Sequence, residues 1–328
     1  MNFEAVSRDT GMPVNAEFFV GDYEARVTPI ADTDAATTGP NLDATAGFVA
    51  THDKRGDGHN LSGGRNKQGK NNDVDGANQD KRGNDNGAGY NFVATAPGHG
   101  AVRFRLDDLK PGETRTVKVE FATNVAASAQ GATASGDGTN HGNLIDGTEG
   151  TNWTSTGTTS VEGRQVVIAL GAAKSFRVAN VSAMLVPGQN RFTALRAFEL
   201  LACNAGKDRS NLSCDPAIKR GWDRVMSSGP NSFPSVNPRP IAPDLIMRTW
   251  EVKNTTATHV IFRVATNQCS GQPSYQGEQD NDPQYSTDCR VTSTLPTGQI
   301  VLPERDTTVI AAEVQLLASR PKVQGADS

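Results

Sequence analysis

The amino-acid sequence predicts an all-β protein built from two β-sandwich domains, and three observations lead to this class. The chain has 328 residues, a length typical of two domains. Apolar and polar residues alternate with a period of two in segments such as AVRFRL and RTVKVEF, which is the pattern of half-buried strands. The 33 glycines, among many Thr, Asn, Asp and Ser residues, favour short strands joined by polar turns.

The first domain is predicted over residues 1–124 as a small antiparallel β-sandwich. Its strand-like segments are NFEAV, NAEFFVGDYEARVTPI, YNFVATAP, AVRFRL and RTVKVEF. The turns between the later segments place Pro ahead of Gly, in APGHG and KPGE, which is typical of tight turns. The alternation therefore indicates strands on both sides of one long insertion.

That insertion, residues 32–89, has too few apolar side chains to bury a core, so it is predicted to be a long surface loop. Within it, Asn71, Asp73 and Asp75 alternate before a glycine, a spacing that places oxygen atoms around Ca²⁺. The twelfth position of this motif holds Arg82 and not the Glu that an EF-hand needs. The tract is therefore either a plain loop or a second, weaker Ca²⁺ site.

The second domain is predicted over residues 125–319, after a stretch of small residues. Trp153 is expected in its core, and residues 320–328 are expected to form a frayed tail. AAEVQLLA is short and closes the series, so it is predicted to be a strand and not a helix. The strand-like segments of this domain are RQVVIALG, FRVANVSAMLV, LRAFELLAC, WDRVM, DLIMRTWEV, THVIFRVAT and AAEVQLLA.

The four cysteines, Cys203, Cys214, Cys269 and Cys289, all lie in the second domain. Three pairings are possible, and the local one, Cys203–Cys214 with Cys269–Cys289, is predicted because it closes two short loops. The cysteines form no CxxC or His–Cys cluster that would indicate zinc. Disulfides imply export, so the predicted location is extracellular, either secreted or at the cell surface.

Charge and motifs argue against several function classes. The net charge of −4 gives no field for nucleic acid, and no run of about 18 apolar residues predicts a membrane span. HExxH, GxSxG, Walker and dinucleotide-binding motifs are absent from the sequence. The protein is therefore predicted not to be an enzyme. Its five histidines are scattered along the chain: His52, His59, His99, His141 and His259.

The stretch NLIDGTEGTNW is dense in oxygen ligands and ends on an aromatic residue. Its Asp146, Gly147, Thr151 and Trp153 follow the pattern D-G-x-x-x-T-x-W. This pattern resembles the start of a discoidin or coagulation factor 5/8 type C domain, which is a galactose-binding-like jelly roll. The later strands agree in order with that family, and the resemblance covers about residues 130–318.

The resemblance implies a structural Ca²⁺ between this loop and the last strand. Carried over to this sequence, the ligands would be Asp146, Glu149, Thr151 and Glu313. Ca²⁺ prefers six to eight hard oxygen ligands, and a glycine-rich turn can add backbone carbonyls. The family commonly has Asn or Asp at the position of Glu149. The alternative is a turn in which Asp146 accepts a hydrogen bond from its own backbone.

A wider resemblance takes in both domains. VGDYEARVTPIADTD, FVATAPGHGAVRF, SAQGATASGDG, GQNRFTALRAFEL and ATHVIFRVATNQCSG are similar to the C-terminal accessory region of secreted bacterial fungalysin-type metallopeptidases. This resemblance implies a regulatory-like sandwich followed by a galactose-binding-like one. The chain has no HExxH motif, so the protease chemistry is not carried over.

The predicted function is a non-catalytic binding or adhesion module for a glycan or another cell-surface or cell-wall ligand. Gln189, Asn190 and Arg191 are the candidate contacts, because amides and Arg can hydrogen-bond sugar hydroxyls, although Arg191 could instead pair internally. The ligand site is expected away from the Ca²⁺ loop. The alternative function is a structural subunit of an extracellular fibre that assembles by β-strand pairing. Partners could include an upstream protease domain or copies of the chain itself.

Overall fold

The computed structural model describes residues 1–21, 31–33, 88–109, 114–207, 211–230, 232–233, 245–271, 293–294, 300–301 and 307–325. Across these residues the secondary structure is β-strand with three 3₁₀ turns, Ser128–Gln130, His141–Leu144 and Arg191–Thr193. The strands are β1 Asn2–Ser7, β2 Ala16–Val20, β3 Ala31–Thr33, β4 Ala88–Thr95, β5 Val102–Leu109, β6 Thr116–Phe121, β7 Thr133–Gly136, β8 Trp153–Thr156, β9 Gln165–Ser182, β10 Leu195–Cys203, β11 Asp223–Ser227, β12 Arg248–Asn267, β13 Ser293–Thr294, β14 Ile300–Val301, β15 Thr308–Ala311, β16 Glu313–Leu317 and β17 Lys322–Gln324. The predicted all-β class is confirmed.

The chain divides into two compact units. The first unit comprises Met1–Asn124 with Ser319–Ser328, and the second comprises Val125–Ala318.

The first unit contains two sheets, with the strand orders β1-β6-β17 and β3-β2-β4-β5. Alternate side chains of both sheets meet in one core, where Phe3 stacks on Phe18 with ring centroids 4.3 Å apart. The sequence predicted an antiparallel sandwich, but β1 and β6 pair in parallel. Between them the chain builds β2, β4 and β5 of the other sheet and then returns in the direction of β1, as a crossover connection requires.

The C-terminal residues were expected to be frayed, and this expectation was wrong for Lys322–Gln324. This segment forms β17 and pairs antiparallel with β6. Val323 packs against the core of the first unit, and the Gln324 amide donates a 2.6 Å hydrogen bond to Glu120. One apolar side chain among polar neighbours is a weak sequence signal for a strand. It is nevertheless enough for the segment to pair with the edge of an existing sheet.

The second unit is a sandwich of one large sheet and one small sheet, and it also contains a two-stranded sheet of β13 and β14. The large sheet has the order β11-β10-β12-β9-β16, with β7 also pairing with β9, and β8 pairs with β15 in the small sheet. Trp153 on β8 is fully buried between them and meets Phe262 of β12 edge to face, with centroids 6.1 Å apart. The predicted core position of Trp153 is therefore confirmed.

Segments that the sequence analysis separated are continuous strands in the structure. RQVVIALG and FRVANVSAMLV together form β9, and DLIMRTWEV and THVIFRVAT contribute to β12. The two strands pair antiparallel from Arg248 opposite Val181 to Arg263 opposite Gln165, with register shifts on the way. Bulges bend a strand without ending it, so polar residues at the bend resemble a turn in the sequence.

Cys203 and Cys214 form a disulfide that closes the connection from β10 toward β11. Cys269 is also disulfide-bonded, whereas Cys289 lies outside the described residues. Asn211, inside the closed loop, is buried and donates through its side chain to the carbonyls of Asp215 and Ile218. The disulfide thus closes a loop that is also hydrogen-bonded to the residues that follow it.

Replacing both Cys203 and Cys214 with Ala is expected to lower the free energy of unfolding of the second unit by about 2–3 kcal/mol, because the unfolded chain regains the entropy of an open loop. Urea denaturation of the double variant, compared with oxidised wild type, measures this. Reduced wild type should be at least as destabilised as the variant, because reduction also breaks the disulfide of Cys269. A variant as stable as oxidised wild type would contradict the prediction.

Candidate functional site

The loop between the 3₁₀ turn His141–Leu144 and β8 carries the acidic residues that the sequence analysis singled out. Leu144 and Ile145 are buried at its start, and the buried Trp153 stands at its end. Gly147 takes a positive φ of 92°, a conformation that favours glycine, and so the chain can turn tightly after Asp146. Buried apolar anchors on both sides thus hold a short polar loop in place.

Asp146 is exposed, and its carboxylate organises the loop itself. Oδ1 accepts a hydrogen bond from the Thr148 amide at 3.1 Å, and Oδ2 accepts one from the Thr151 hydroxyl at 2.6 Å. The first of these is the Asx-type turn that was one of the two interpretations of Asp146. A carboxylate has about four lone-pair sites, so this turn leaves acceptor capacity for a cation.

Glu149 is 2% exposed and joins the loop to two other segments. Its Oε1 accepts a 2.5 Å hydrogen bond from the hydroxyl of Ser182, the last residue of β9. The same oxygen accepts the backbone N–H of Met247, just before β12, at 2.9 Å. The long arm of Glu, which departs from the family pattern, is what reaches these strand ends.

Glu313 is fully buried at the start of β16, directly opposite Ser182 of β9 in the strand register. Its Oε2 accepts the Gly147 N–H at 3.3 Å, across 166 residues of sequence, while its Oε1 is buried without a hydrogen-bond partner. Burial raises the pKa of Glu313 well above its ordinary value, and the charges of Asp146 and Glu149 raise it further. The Gly147 N–H and the nearby Gln315 side chain act on this pKa in the opposite direction.

Asp146, Glu149 and Glu313 are called the acidic clasp below. The charges of Asp146 and Glu149 act on the buried Glu313, one oxygen of which has no hydrogen-bond partner, and a cation close to these groups would offset those charges. In the part of the chain that the structure describes, no group of three or more His, Cys, Asp or Glu side chains is placed to hold a metal ion, the acidic clasp included. A Ca²⁺ ion at this position would need further hydroxyl or backbone carbonyl oxygens, which this ion accepts.

The candidate ligand residues lie in the connection between β9 and β10, and they differ in availability. Gln189 is exposed. Asn190 caps the 3₁₀ turn, because its Oδ1 accepts the Phe192 N–H at 2.9 Å. Arg191 is half-buried, with its guanidinium carbon 4.9 Å from the centroid of the Phe192 ring. Of the three, Gln189 is the residue most open to a ligand.

Asn152 holds this connection against the loop of residues 145–152, and no sequence motif pointed to this role. Its Nδ2 donates to the Met184 carbonyl and its Oδ1 accepts the Val186 N–H, both at 2.8 Å. The hydroxyl of Ser182 accepts the Met184 N–H at 3.2 Å. Asn is a poor strand former, and an Asn directly before the buried Trp153 was the available signal.

The remaining sequence candidates contribute little to a described site. Asn71, Asp73 and Asp75, proposed as a second Ca²⁺ site, lie outside the described residues, as do His52 and His59. The described histidines have local partners: His99 contacts the Pro97 carbonyl, His141 the Gly136 carbonyl and His259 the Thr258 hydroxyl. Burial lowers the pKa of His259. None of these contacts forms a Ser-His-Asp arrangement.

Fold and site together define a class: an all-β protein whose second sandwich is closed by an acidic loop meeting a buried glutamate. No family model and no curated protein matches this chain. Among the described residues, no helix is long and apolar enough to cross a membrane.

Solved structures that this chain is similar to include SpGH29, at 14% identity over 60% of this chain and 28% of that one, with a TM-score of 0.33. A second is CpGH89CBM32-5 from Clostridium perfringens in complex with GalNAc-β-1,3-galactose, at 14% identity, 57% and 94% coverage and a TM-score of 0.31. A third is chitosan-binding module 1 of a Paenibacillus sp. IK-5 chitosanase/glucanase, at 13% identity over 59% of this chain and 97% of that one, with a TM-score of 0.31. Scores this low identify no family for this chain.

Proposed function

We propose that this chain is a non-catalytic extracellular binding module that recognises a glycan through the loop of residues 184–191. One observation carries the proposal: this partly exposed loop, which ends in the polar residues 189–191, is hydrogen-bonded to the side chain of Asn152 from another loop. Asn152 binds it at Met184 and Val186, and both bonds are short. A loop fixed before binding loses little conformational entropy when a ligand arrives, which is a requirement for useful affinity from a few hydrogen bonds.

The chemistry of the loop favours a neutral, hydroxyl-rich ligand. The exposed Gln189 amide offers both a donor and an acceptor, as a sugar hydroxyl requires. Arg191 is half-buried and its guanidinium lies over the Phe192 ring, so it is less available to a ligand than Gln189 is. An overall charge of −4 likewise gives no general attraction for polyanions.

The proposal includes a structural Ca²⁺ in the acidic clasp. Asp146, Glu149 and Glu313 would hold it, with Thr151 and backbone carbonyls completing the oxygen ligands. When bound, the ion supplies positive charge that offsets the repulsion among the three carboxyl groups. The unpartnered Oε1 of Glu313 supports this part of the proposal. The Cys203–Cys214 disulfide supports an extracellular location.

Replacing Gln189 with Ala is expected to weaken glycan binding by about fivefold to tenfold, the effect of losing one or two hydrogen bonds. The matched control is Gln130→Ala, since Gln130 is also an exposed amide residue of the second unit. Wild type is first screened on a glycan array and on cell-wall material, and the variants are then titrated against the best sugar. A folded wild type that binds neither, or a Gln189→Ala that binds like Gln130→Ala, contradicts the proposal.

The alternative function is assembly into fibres by strand pairing, and the edge strand β1 is the relevant feature. Beyond its pairing with β6, β1 is bonded to its own following turn: Ser7 donates to the Met12 carbonyl and Val14 donates to the Ala5 carbonyl. Pro13 lies in this turn and has no N–H to donate. Half of the edge is thus covered, which favours the glycan proposal. Concentration-dependent polymers in sedimentation experiments would support the alternative, and a monomer would exclude it.

An accessory role beside a metallopeptidase domain is a further part of the proposal. It follows from the resemblance to fungalysin-type proteins, and the binding module would then hold such a protease near its glycan-bearing target.

A further inference from the structure

We propose that Asn254 is the acceptor site for an N-linked oligosaccharide, and that among the described residues it is the site at which the folded protein carries one. This inference goes beyond the proposed function and uses only its extracellular location, because N-linked sugars are added to exported chains. The signal is the triplet Asn-x-Ser/Thr, in which x is not Pro. The chain contains it five times, at Asn60, Asn152, Asn180, Asn211 and Asn254.

Three of these triplets begin with an asparagine whose side chain already belongs to the interior. Asn152, Asn180 and Asn211 are 7%, 2% and 2% exposed. Their side-chain nitrogens donate to backbone carbonyls from Asn152 and Asn211, and to the Gln315 side chain from Asn180. A sugar on any of these nitrogens would have to enter a close-packed interior and would disturb a buried hydrogen bond, so the modified chain would not reach this fold. Asn60 lies outside the described residues.

Asn254 differs from the buried three in both respects. It is exposed on β12, and its side chain forms no hydrogen bond in the part of the chain that the structure describes. Between the pairs Glu251–Val178 and Thr255–Phe176, β12 advances four residues while β9 advances two, so β12 bulges here. Asn254 lies within this bulge, opposite no residue of β9 in the register. A bulky group on its side chain therefore meets no paired neighbour.

The rest of the triplet is also compatible with a modified, folded chain. Thr256, which supplies the hydroxyl of the triplet, is exposed, and its Oγ1 lies 2.6 Å from the hydroxyl of Ser175. That contact does not involve the Asn254 amide, so an attached sugar leaves it in place. Val252 and Ala257 are buried on the two sides of the bulge and hold it to the sandwich. The fold thus keeps its own contacts when Asn254 carries a sugar.

The reaction joins the Asn254 side-chain nitrogen to C1 of the first sugar of an oligosaccharide carried on a lipid pyrophosphate. The bond between C1 and the pyrophosphate oxygen breaks, and the lipid pyrophosphate leaves with the bonding electrons. The nitrogen gives up one of its two hydrogens as a proton. The lipid-linked donor and the oligosaccharyl transferase belong to the exporting cell. The product places a bulky, hydrophilic group over the β12 bulge.

Secretion of the full chain from a eukaryotic cell line tests the proposal, with Asn60→Gln as the starting protein so that only described triplets remain. Intact mass before and after treatment with an N-glycosidase, together with peptide mapping, shows which asparagines carry sugar. Circular dichroism shows that the secreted protein is folded. We expect an oligosaccharide at Asn254 and none at Asn152, Asn180 or Asn211. A folded, secreted protein with Asn254 unmodified, or with sugar on a buried asparagine, overturns the proposal.

Thr256→Ser and Thr256→Ala form a matched pair of variants, because only Ser keeps a hydroxyl in the triplet. The sugar should remain in Thr256→Ser and be lost in Thr256→Ala and Asn254→Gln. If the chain is not secreted, cell-free translation with microsomal membranes decides the matter: Asn254→Gln should carry one oligosaccharide fewer than the starting protein, and equal masses overturn the proposal. Occupancy of Asn254 and glycan binding have separate readouts, so either proposal can fail alone.

Discussion

Removing Ca²⁺ with a chelator is expected to lower the unfolding temperature of the second unit, and Glu313→Gln is expected to abolish most of this difference. A ligand present at 100 times its dissociation constant stabilises the native state by about 2.7 kcal/mol. All three tryptophans, Trp153, Trp222 and Trp250, lie in the second unit, so tryptophan fluorescence reports on its unfolding. Gln matches Glu in size but carries no charge for the cation.

The same prediction has a definite pH dependence. Because the pKa of Glu313 is raised in the folded state, metal-free folded protein retains a proton that the unfolded chain releases. Metal-free stability should therefore be greatest below the ordinary Glu pKa and fall as pH rises from there toward the raised value. Ca²⁺ binds the ionised carboxylate, so its stabilising effect should grow over the same range. The metal-free Glu313→Gln variant should not lose stability over this pH range.

The control for both measurements is Glu162→Gln, because Glu162 is exposed in the same unit and has no place in the clasp. It should respond to Ca²⁺ and to pH as wild type does. An equal response of Glu313→Gln and Glu162→Gln to Ca²⁺ would remove Glu313 from the site. An unchanged melt of wild type with and without chelator would remove the cation from the proposal.

Replacing Trp153 with Ala is expected to destabilise the second unit by about 3–5 kcal/mol, the cost of a large cavity in a close-packed core. The indole is fully buried and packs edge to face on Phe262. Its Nε1 also donates a 2.8 Å hydrogen bond to the Asp137 carbonyl. Urea denaturation followed by far-ultraviolet circular dichroism measures the loss, since this signal does not depend on the removed tryptophan.

Trp153→Phe divides this effect into its parts. Phe restores most of the apolar volume but leaves the Asp137 carbonyl without its hydrogen-bond donor. The free energy of unfolding should therefore still be lower than that of wild type by about 1–3 kcal/mol. The comparison variant is Trp222→Ala. Because Trp222 is half-buried outside the main core, its replacement should lower the free energy of unfolding by less than Trp153→Ala does. If Trp153→Ala proves no more costly than Trp222→Ala, the core position assigned to Trp153 is wrong.

The sequence by itself determined the features that depend on near neighbours. Period-two alternation predicted β5 and β6, because one face of each strand is buried and the pattern records that burial. The short spacing of Cys203 and Cys214 predicted their disulfide. Asp146, Glu149 and Thr151 were singled out because six consecutive residues hold them, and the structure keeps all three in one loop.

Only the tertiary structure decided what depends on distant segments meeting. Glu313 was assigned to the clasp from a family resemblance, and its register opposite Ser182 is a property of the β9–β16 pairing. The roles of Ser182 and Asn152, the parallel pairing of β1 with β6 and the strand β17 have almost no local signature. A buried hydrogen bond between residues far apart in the sequence forms only where the sheets bring their two segments together. The alternation along one strand does not indicate which distant residue will be the partner.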